Sequence, residues 1–404
     1  VIEGDTYDYG QAITLPIPIR FGYKFMGWFM GDTANSPKAT DGMIIRNDLN
    51  LYARWQKETA VIVHDEAELT MAIYDASVEE IIFGNDISSN EEYLISRSLI
   101  IDGNGYTLHS GSLYGVFRIT TQNHNYAFED AQPSGGGFIV RDLNLLADTG
   151  IPNYYMYTAF TFERVNDMDV RFDNVRIEGM LEAAVDIFET YQMDFKFVDS
   201  FFDVSYGGIC GFMNEALNIN IINTTIKSHY NIYLAELYNS TIDVYNSEFY
   251  IMNDVDEYGV GFINFGSGYN DYNFYNTSFY VDEIIEGGEG GSEIIASMFE
   301  NDSQQVLLYD CHIESNNPSY DQLFFTEEND TSYYFINSKL EFKEGIINIG
   351  DYSYINSEFS RIILPESLVT IGEHAFEGNY NLVSIVIPEG VTTIGQYAFA
   401  SCNY

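Results

Sequence analysis

Carboxylates are the most abundant side chains in this sequence that could do chemistry, with 61 Asp and Glu among 404 residues. In proteins, Ca²⁺ is held by several such oxygen ligands on flexible loops, many of them bearing Gly. None of the acidic clusters follows the EF-hand spacing, so solvated loops are the simpler interpretation, and Ca²⁺ is the one cofactor that the sequence leaves open. The clusters that fall in inferred loops are Asp254-Val-Asp256-Glu257, Glu286-Gly-Gly-Glu289-Gly-Gly-Ser-Glu293 and Glu327-Glu328-Asn-Asp330.

The six His residues are scattered along the chain, and none shows the spacing of a metal-ligating pair. We therefore assign no catalytic residue, no cofactor-binding residue and no metal ligand. His312 follows an inferred bend and His374 stands at a variable repeat position, so both are expected to face solvent.

Tyrosines are the third group with a functional interpretation, because several stand where inward-facing positions do not require them. A Tyr ring offers rigid apolar area with a polar tip, which suits contacts with carbohydrate or protein. The alternative is that many of these rings merely stack on one another along the fold. The residues concerned are Tyr154, Tyr155, Tyr157, Tyr269, Tyr272, Tyr275, Tyr333 and Tyr334.

The net charge narrows the range of partners. Only 17 Lys and Arg oppose the 61 acidic residues, which gives a formal net charge of −44. Binding to phosphates requires clustered cations, so nucleic acid, anionic lipid and polyuronates are disfavoured. A divalent cation, a cationic partner or a neutral glycan remains open, and the charge also suits a soluble extracellular surface.

The three cysteines, Cys210, Cys311 and Cys402, are odd in number and far apart, which predicts neither a disulfide framework nor a zinc site. No apolar run of about 18 residues is present, so we expect no membrane insertion in this segment. Both ends of the sequence fall within recognisable units, and we therefore expect a part of a longer chain.

A degenerate motif recurs through the middle of the chain, with an apolar residue two positions before and three positions after an Asp or Asn. One copy cannot bury its apolar residues, but copies stacked in parallel about 4.8 Å apart form a continuous core. Asp and Asn tolerate the left-handed backbone of a sharp bend, and stacked Asn side chains can bond as a ladder. The predicted bends are Asp142, Asn174, Asp199, Asn223, Asn246, Asn276, Asp310, Asn337 and Asn356.

This pattern predicts an all-β solenoid over residues 57–360. A propeller would need longer blades, and a sandwich would show more hairpin turns. The solenoid is expected to begin with a helix capped by Asp65 and Glu68, with Leu69, Ala72 and Ile73 on its buried face.

Two shorter units flank the solenoid. Residues 361–404 repeat Ile371-Gly372 and Ala375-Phe376 as Ile394-Gly395 and Ala398-Phe399, 23 residues later. This pattern resembles the BspA-like leucine-rich repeat of bacterial surface antigens, in a truncated form. We expect these repeats to stack on the last solenoid coil as its continuation and cap.

Residues 1–56 contain Gly22-Tyr-Lys-Phe-Met-Gly-Trp28 and Leu51-Tyr-Ala-Arg-Trp55. These motifs resemble the Listeria–Bacteroides repeat, the B-repeat module of internalin-type surface proteins. The alternation of apolar residues predicts a small sheet with Trp28 and Trp55 in its core, followed by a linker at residues 56–59. The resemblance implies a spacer module without catalytic residues.

The middle segment resembles the right-handed parallel β-helix of the pectate-lyase-like superfamily, in which a helix covers the first coil as the Asp65 segment is expected to do here. That superfamily includes pectate lyases, which use clustered carboxylates for Ca²⁺ and an Arg or Lys as base. It also includes polysaccharide hydrolases, which need paired carboxylates and a His. None of their motifs is present. We therefore expect a non-catalytic extracellular bacterial cell-surface protein, an adhesin or structural rod that binds glycan or protein partners. The alternative is a polysaccharide-active lyase or glycoside hydrolase on the β-helix.

Overall fold

A computed structural model describes most of the chain. The residues described are 10–44, 48–112, 114–120, 136–147, 158–179, 183–204, 207–212, 214–228, 232–234, 237–251, 261–265, 270–281, 293–297, 304–315 and 331–402.

The N-terminal unit contains one antiparallel hairpin of β1 (Tyr23–Phe29) and β2 (Tyr52–Lys57). The rings of Trp28 and Trp55 both pack on Phe25, with centroids 5.7 Å and 5.3 Å away. Both Trp side chains are only half-buried, so they do not fill a core as expected. A two-stranded hairpin has too little surface to enclose them. Strand β2 also extends through Gln56 and Lys57, which the sequence analysis placed in a linker.

Helix α1 (Glu66–Tyr74) closes the first coil of the solenoid. The Asp65 side chain accepts a hydrogen bond from the backbone N–H of Glu68 at 2.9 Å, which caps the N-terminus. The residues predicted for its apolar face, Leu69, Ala72 and Ile73, are buried against the first strands.

Three parallel sheets form the wall of the solenoid, and successive coils add one strand to each. Sheet I contains β3 (Ala60–Val63), β4 (Glu80–Phe83), β7 (Leu99–Asp102), β10 (Gly136–Arg141), β13 (Met168–Asp173), β16 (Asp194–Val198), β20 (Asn218–Ile222), β24 (Thr241–Tyr245), β27 (Asn270–Tyr275), β30 (Gln304–Tyr309) and β32 (Thr331–Ile336). Sheet II contains β5 (Ile87–Ser89), β8 (Thr107–Ser110), β11 (Asn144–Ala147), β14 (Arg176–Gly179), β17 (Phe201–Val204), β21 (Thr225–Ser228), β25 (Glu248–Ile251), β28 (Ser278–Val281), β31 (His312–Ser315), β33 (Lys339–Phe342) and β35 (Arg361–Ile363).

Sheet III contains β6 (Tyr93–Ile95), β9 (Phe117–Thr120), β12 (Thr158–Glu163), β15 (Ala183–Phe188), β18 (Gly207–Phe212), β22 (Ile232–Leu234), β26 (Gly261–Phe265) and β29 (Glu293–Ser297). A short pair joins β19 (Asn214–Glu215) to β23 (Leu237–Tyr238). The architecture is therefore the all-β parallel β-helix that the repeated motif predicts.

The core is built by the strict alternation of each short strand. Val170, Phe172, Phe195 and Phe197 are buried, and the rings of Phe172 and Phe197 stack with centroids 5.1 Å apart. Burying one such side chain stabilises the fold by about 1.5–3 kcal/mol. The apolar side chains of one coil are shielded from water only when the neighbouring coils pack on them. Each coil is therefore stable only as part of the stack.

The predicted bends, of which all but Asn356 lie between sheets I and II, share one backbone conformation. All nine residues from Asp142 to Asn356 that the motif singles out have positive φ, between 48° and 56°. Several are also linked along the axis: Asn174 Nδ2 donates to Asp142 Oδ1 at 2.7 Å, and Asn223 Nδ2 donates to Asp199 Oδ1 at 3.0 Å.

A second, buried ladder, which the motif did not predict, follows the first by one residue. The backbone N–H of Ser200 donates to Thr224 Oγ1 at 3.3 Å, and the N–H of Thr224 donates to Ser247 Oγ at 3.1 Å. These hydroxyls satisfy backbone donors that the tight bend would otherwise leave buried and unpaired.

The C-terminal repeats form a sheet of β34 (Asn348–Ile349), β36 (Thr370–Ile371) and β37 (Thr393–Ile394). The periodic Gly of this unit has a steric cause, because a Cβ on Gly372 would lie 2.4 Å from the carbonyl carbon of Gly350. Strand β34 pairs in register with β36, so the first of these repeats begins near residue 348, within the segment assigned to the β-helix. The change of architecture comes earlier than the boundary at residue 360 that motif spacing predicts.

Candidate functional site: two outward aromatic faces

Two outward faces meet along the line of bends. The residue just before each bend points away from the core on sheet I, and on the strands from β20 to β32 this row is apolar or aromatic. The rings of Tyr245 and Tyr275 stack with centroids 4.9 Å apart and an interplanar angle of 7°. The Tyr309 ring follows, 6.3 Å from Tyr275. The row comprises Ile222, Tyr245, Tyr275, Tyr309 and Ile336.

A second outward row runs beside the first on the same strands. It comprises Asn220, Asp243, Asn273, Leu307 and Tyr334. Its one carboxylate, Asp243, accepts a hydrogen bond from Asn273 Nδ2 at 2.9 Å. We call these two rows together the tyrosine face. Tyr309, Tyr334 and Ile336 are 39%, 48% and 44% exposed, a large apolar exposure for one side of a sheet.

The outward side of sheet II carries a different ladder, with one aromatic or cationic side chain per coil. The Arg176 guanidinium lies 4.0 Å from the Phe201 ring centroid, and Lys227 Nζ lies 5.3 Å from the same centroid. Lys227 Nζ is also 5.5 Å from the Tyr250 centroid, so it links the two rings. We call Arg176, Phe201, Lys227, Tyr250, Tyr280 and His312 the cation–aromatic face.

Tyr250 and Tyr280 are the centre of this face, with parallel rings 4.5 Å apart. Burial and the neighbouring Glu248 carboxylate raise the pKa of Tyr250 to about 12. The phenol therefore stays protonated, and its O–H donates to Glu248 Oε2 at 3.2 Å. A protonated phenol beside a carboxylate can exchange hydrogen bonds with the hydroxyls of a ligand.

The cation–aromatic face ends at His312, whose ring centroid lies 6.1 Å from that of Tyr280. His312 Nε2 is 3.1 Å from Glu341 Oε2, and burial together with Lys339 lowers the pKa of His312. The side chain points outward, as expected, but it is only 20% exposed. The reason is that the neighbouring coils supply Tyr280 and Glu341 on either side.

His374 also differs from its expected exposure. Its ring stacks between Tyr352 and Tyr397 of the adjacent repeats, with centroids 4.8 Å and 5.0 Å away. Its Nδ1 contacts the Glu377 carboxylate. The side chain at this variable position is covered by the side chains at the same position of the adjacent repeats. The sequence of a single repeat does not show this contact.

The bend residues Asn246 and Asn276 form the exposed ridge between the two faces. Asn276 Nδ2 donates to Asn246 Oδ1 at 2.8 Å. Each of these bends has a Tyr immediately before it on the tyrosine face and another four residues after it on the cation–aromatic face. These four are Tyr245, Tyr250, Tyr275 and Tyr280.

The structure places the predicted tyrosines differently from one another. Tyr275 and Tyr334 lie on the tyrosine face, whereas Tyr272 is fully buried, because it occupies an inward position of β27. Tyr245, Tyr250, Tyr280 and Tyr309 were not among the predicted residues, although Tyr245 and Tyr309 each stand directly before an Asn or Asp bend, which was a usable signal. Outside the described residues, at least in their side chains, lie Tyr154, Tyr155, Tyr157, Tyr269 and Tyr333.

The acidic clusters also fall mostly beyond the described part of the chain. Asp254, Asp256, Glu257, Glu286, Glu289, Glu327, Glu328 and Asp330 are outside it, and of Glu293 only the backbone is described. Within the described residues, no group of three or more His, Cys, Asp or Glu side chains is arranged to hold a metal.

Sheet III carries an ion network rather than a row of aromatic rings on its early strands. Arg118 binds Glu92 at 2.8 Å and approaches Glu163 at 3.5 Å. Arg164 binds Glu189 at 2.5 Å. These carboxylates are bound to guanidinium groups. They are therefore not arranged as the general acid and general base of a glycoside hydrolase, which must be available to the substrate.

The fold and its faces define a parallel β-helix that continues into leucine-rich-repeat-type coils. In agreement, residues 60–181 match the family model of a putative pectate lyase-like adhesive domain. Residues 328–404 match the model of the BspA type leucine-rich repeat region. Neither model covers half of the chain. No curated protein sequence gives a match.

Two solved structures show a distant similarity. One is the SRRP of L. reuteri 53608, with 14% identity, a TM-score of 0.34, and coverage of 83% of this chain and 99% of that one. The other is the A-module of the Azotobacter vinelandii mannuronan C-5 epimerase AlgE4, with 12% identity, a TM-score of 0.24, and coverage of 83% and 94%. At these scores neither similarity bears on function. Among the described residues, no helix has the length and apolar character to span a bilayer.

Proposed function

We propose that this chain is the binding portion of an extracellular bacterial surface adhesin, and that its cation–aromatic face binds a glycan. The observation that carries the proposal is the ladder from Phe201 through Lys227 to the stacked pair Tyr250 and Tyr280. The matches to an adhesive domain and to a BspA type repeat support the same class of protein.

The chemistry of this face suits a sugar better than an extended apolar partner. The C–H side of a pyranose packs on aromatic rings, and its hydroxyls need hydrogen-bonding groups close by. Thr225 and Ser278 lie on strands next to Tyr250, and Glu248 already bonds its phenol. Both charge signs are present on the face, which favours a ligand that is not itself highly charged.

The remaining parts take supporting roles in this proposal. The N-terminal hairpin, with its B-repeat-like motifs, is a spacer, and the C-terminal repeats extend the solenoid. Catalysis is not part of the proposal. Ca²⁺ binding by the acidic loops is not required for it either, and is therefore treated as a variable of the experiment.

The test is a glycan and host-protein array probed with the 404-residue chain, with and without Ca²⁺. We expect signals on glycans, lost when Tyr250 and Tyr280 are both changed to Ala. The matched control is Tyr245→Ala, which removes a ring on the other face of the same coil and should leave the signals unchanged.

Three results would contradict the proposal. One is an array without glycan signals. Another is a double variant that is folded, by circular dichroism, and still binds. The third is release of sugar from a polysaccharide in the panel, which would favour the enzyme alternative.

A further inference from the structure

We propose that the tyrosine face is a second interaction surface, on which this chain packs against the same face of a second copy. The inference goes beyond glycan binding, because it concerns a different sheet and a different partner. Its consequence would be lateral association of two copies of this chain through sheet I.

The composition of the face is unusual for so acidic a protein. The chain has a net charge of −44, yet the two rows of the tyrosine face contain Asp243 as their only carboxylate. Asp243 is bonded to Asn273. Asp271 stands one outward position before Asn273 on β27, and Asp310 is the bend residue after Tyr309, so both flank the two rows. This is therefore a surface on which two highly acidic rods can touch without opposing rows of carboxylates.

The ladder of side chains is also self-complementary. A two-fold axis through the middle strand β27 would place Tyr275 opposite Tyr275, and Tyr245 opposite Tyr309. Symmetric dimers use one patch twice in this way. Tyr hydroxyls and the amides of Asn220 and Asn273 provide donors and acceptors on both copies, while Ile222, Leu307 and Ile336 provide apolar area. Flat sheets stack face to face at about 10 Å.

The area of the face sets the strength of the contact. The two rows cross five strands about 4.8 Å wide and each takes up two residues of strand length at about 3.3 Å per residue, which gives roughly 320 Å² per copy. A standard interface buries about 800 Å² per partner. We therefore infer a weak dimer, in the class of transient contacts.

Repulsion between the two net charges opposes this dimer, so salt should control it. The Debye length is about 8 Å at physiological ionic strength and about 3 Å at 1 M salt. Because the face itself is nearly uncharged, salt screens the distant repulsion and leaves the contact intact. Association should therefore strengthen with added salt.

The experiment is sedimentation velocity of the full chain over a wide range of concentration, at low salt and at high salt. We expect a monomer at low salt and a concentration-dependent dimer at high salt. Tyr275→Glu, which places two carboxylates together on the two-fold axis, should weaken the dimer by about tenfold or more. Tyr280→Glu, on the other face of the same coil, is the matched control and should not change it.

Two outcomes overturn the inference: a monomer under every condition, or equal effects of Tyr275→Glu and Tyr280→Glu. If Tyr275→Glu does not fold, Tyr309→Glu takes its place, because Tyr309 is more exposed. The two proposals fail separately. Tyr275→Glu should keep the glycan signals on the array, and loss of these signals instead of the dimer would assign the tyrosine face to the glycan.

Discussion

The ring of Phe342 packs edge-on against the ring of Tyr354, with centroids 5.2 Å apart. Phe342 ends the last β-helix strand of sheet II, and Tyr354 belongs to the first leucine-rich-repeat-type coil. Sheet II itself continues across this point, because Leu340 pairs with Ile362 in parallel register. The two architectures therefore share one core, as the expected stacking of the repeats on the last coil requires.

This junction predicts that Tyr354→Ala destabilises both units together. Tyr354 is fully buried and also stacks on Phe376, with centroids 5.9 Å apart. Replacing a buried aromatic residue by Ala costs about 3–5 kcal/mol. We expect one cooperative urea transition, shifted to lower urea, when circular dichroism and tyrosine fluorescence are followed together.

The matched control for the junction is Tyr352→Ala, because Tyr352 is 55% exposed two residues away. It should change the transition little. Two separate transitions, with the first alone affected by Tyr354→Ala, would show that the units unfold independently.

The backbone conformation at Asn223 predicts that its Gly variant is more stable than its Ala variant. Asn223 has a φ of 50° and donates its side-chain amide to Asp199. Asn223→Gly keeps the backbone conformation and loses only the hydrogen bond. Asn223→Ala keeps a Cβ in the left-handed region without the polar side chain that makes this conformation accessible to Asn, which costs about 1–2 kcal/mol more than the Gly variant. We expect wild type, then Gly, then Ala in decreasing melting temperature.

Reversal of the Gly and Ala variants would mean that the backbone conformation at this bend costs little. Asn220→Ala, on the neighbouring strand, provides the control for loss of an outward amide without a change of bend.

Sequence alone predicted the fold because the repeated motif reports two local constraints at once. The alternation of apolar residues identifies the inward positions, and Asn or Asp marks the left-handed bend. It did not predict the buried hydroxyls, such as Thr224 and Ser247. A Ser or Thr after Asn is also typical of an exposed turn, so the pattern does not distinguish a buried hydroxyl from an exposed one. It also missed the first C-terminal repeat, although Ile349-Gly350 precedes Ile371-Gly372 by 22 residues, one fewer than the 23 that separate the next two copies.

The candidate faces were harder to predict than the fold. Whether an outward Tyr meets another outward Tyr depends on register between coils, and the loops that separate the coils vary in length. Tyr245 and Tyr275 stack because 30 residues of chain return β27 to the register of β24. No local pattern contains that information.

The buried thiol of Cys311 predicts an unreactive cysteine. Cys311 follows the Asp310 bend at the position where the other bends from Asp199 onward are followed by Ser or Thr, and its Sγ–H donates to the Phe274 carbonyl at 3.3 Å. Burial raises the pKa of this thiol to about 12. Because the thiolate is the nucleophile, iodoacetamide at pH 8 should not modify Cys311 in the folded protein.

Peptide mass spectrometry after alkylation would measure this, with the protein unfolded in urea as the control in which Cys311 must react. Cys311→Ser is a second check. It should preserve the fold, because Ser at this position would continue the hydroxyl ladder. Rapid alkylation of native Cys311 would contradict its placement in the core.

We expect the stability of the contact between strand β2 and the C-terminal end of helix α1 to depend on pH, because Asp75 directly follows the helix and binds Lys57. The Ser77 hydroxyl and backbone N–H, together with Lys57, lower the pKa of Asp75 from 3.8 to about 2. Lys57 ends strand β2 and lies 3.0 Å from the Asp75 carboxylate. Because the folded state favours the charged form, this contribution to stability is complete above about pH 4 and is lost as the pH falls toward 2.

We therefore expect Asp75→Asn to lower the melting temperature at neutral pH, and the difference from wild type to shrink as the pH falls through this window. Thermal unfolding across pH, followed by circular dichroism, measures it. Asp48→Asn, which removes a carboxylate from an exposed segment of the N-terminal unit, should give a smaller difference at neutral pH. An Asp75→Asn difference that stays constant from pH 7 to pH 2 would mean that the carboxylate is not stabilised by Ser77 and Lys57 in the folded protein.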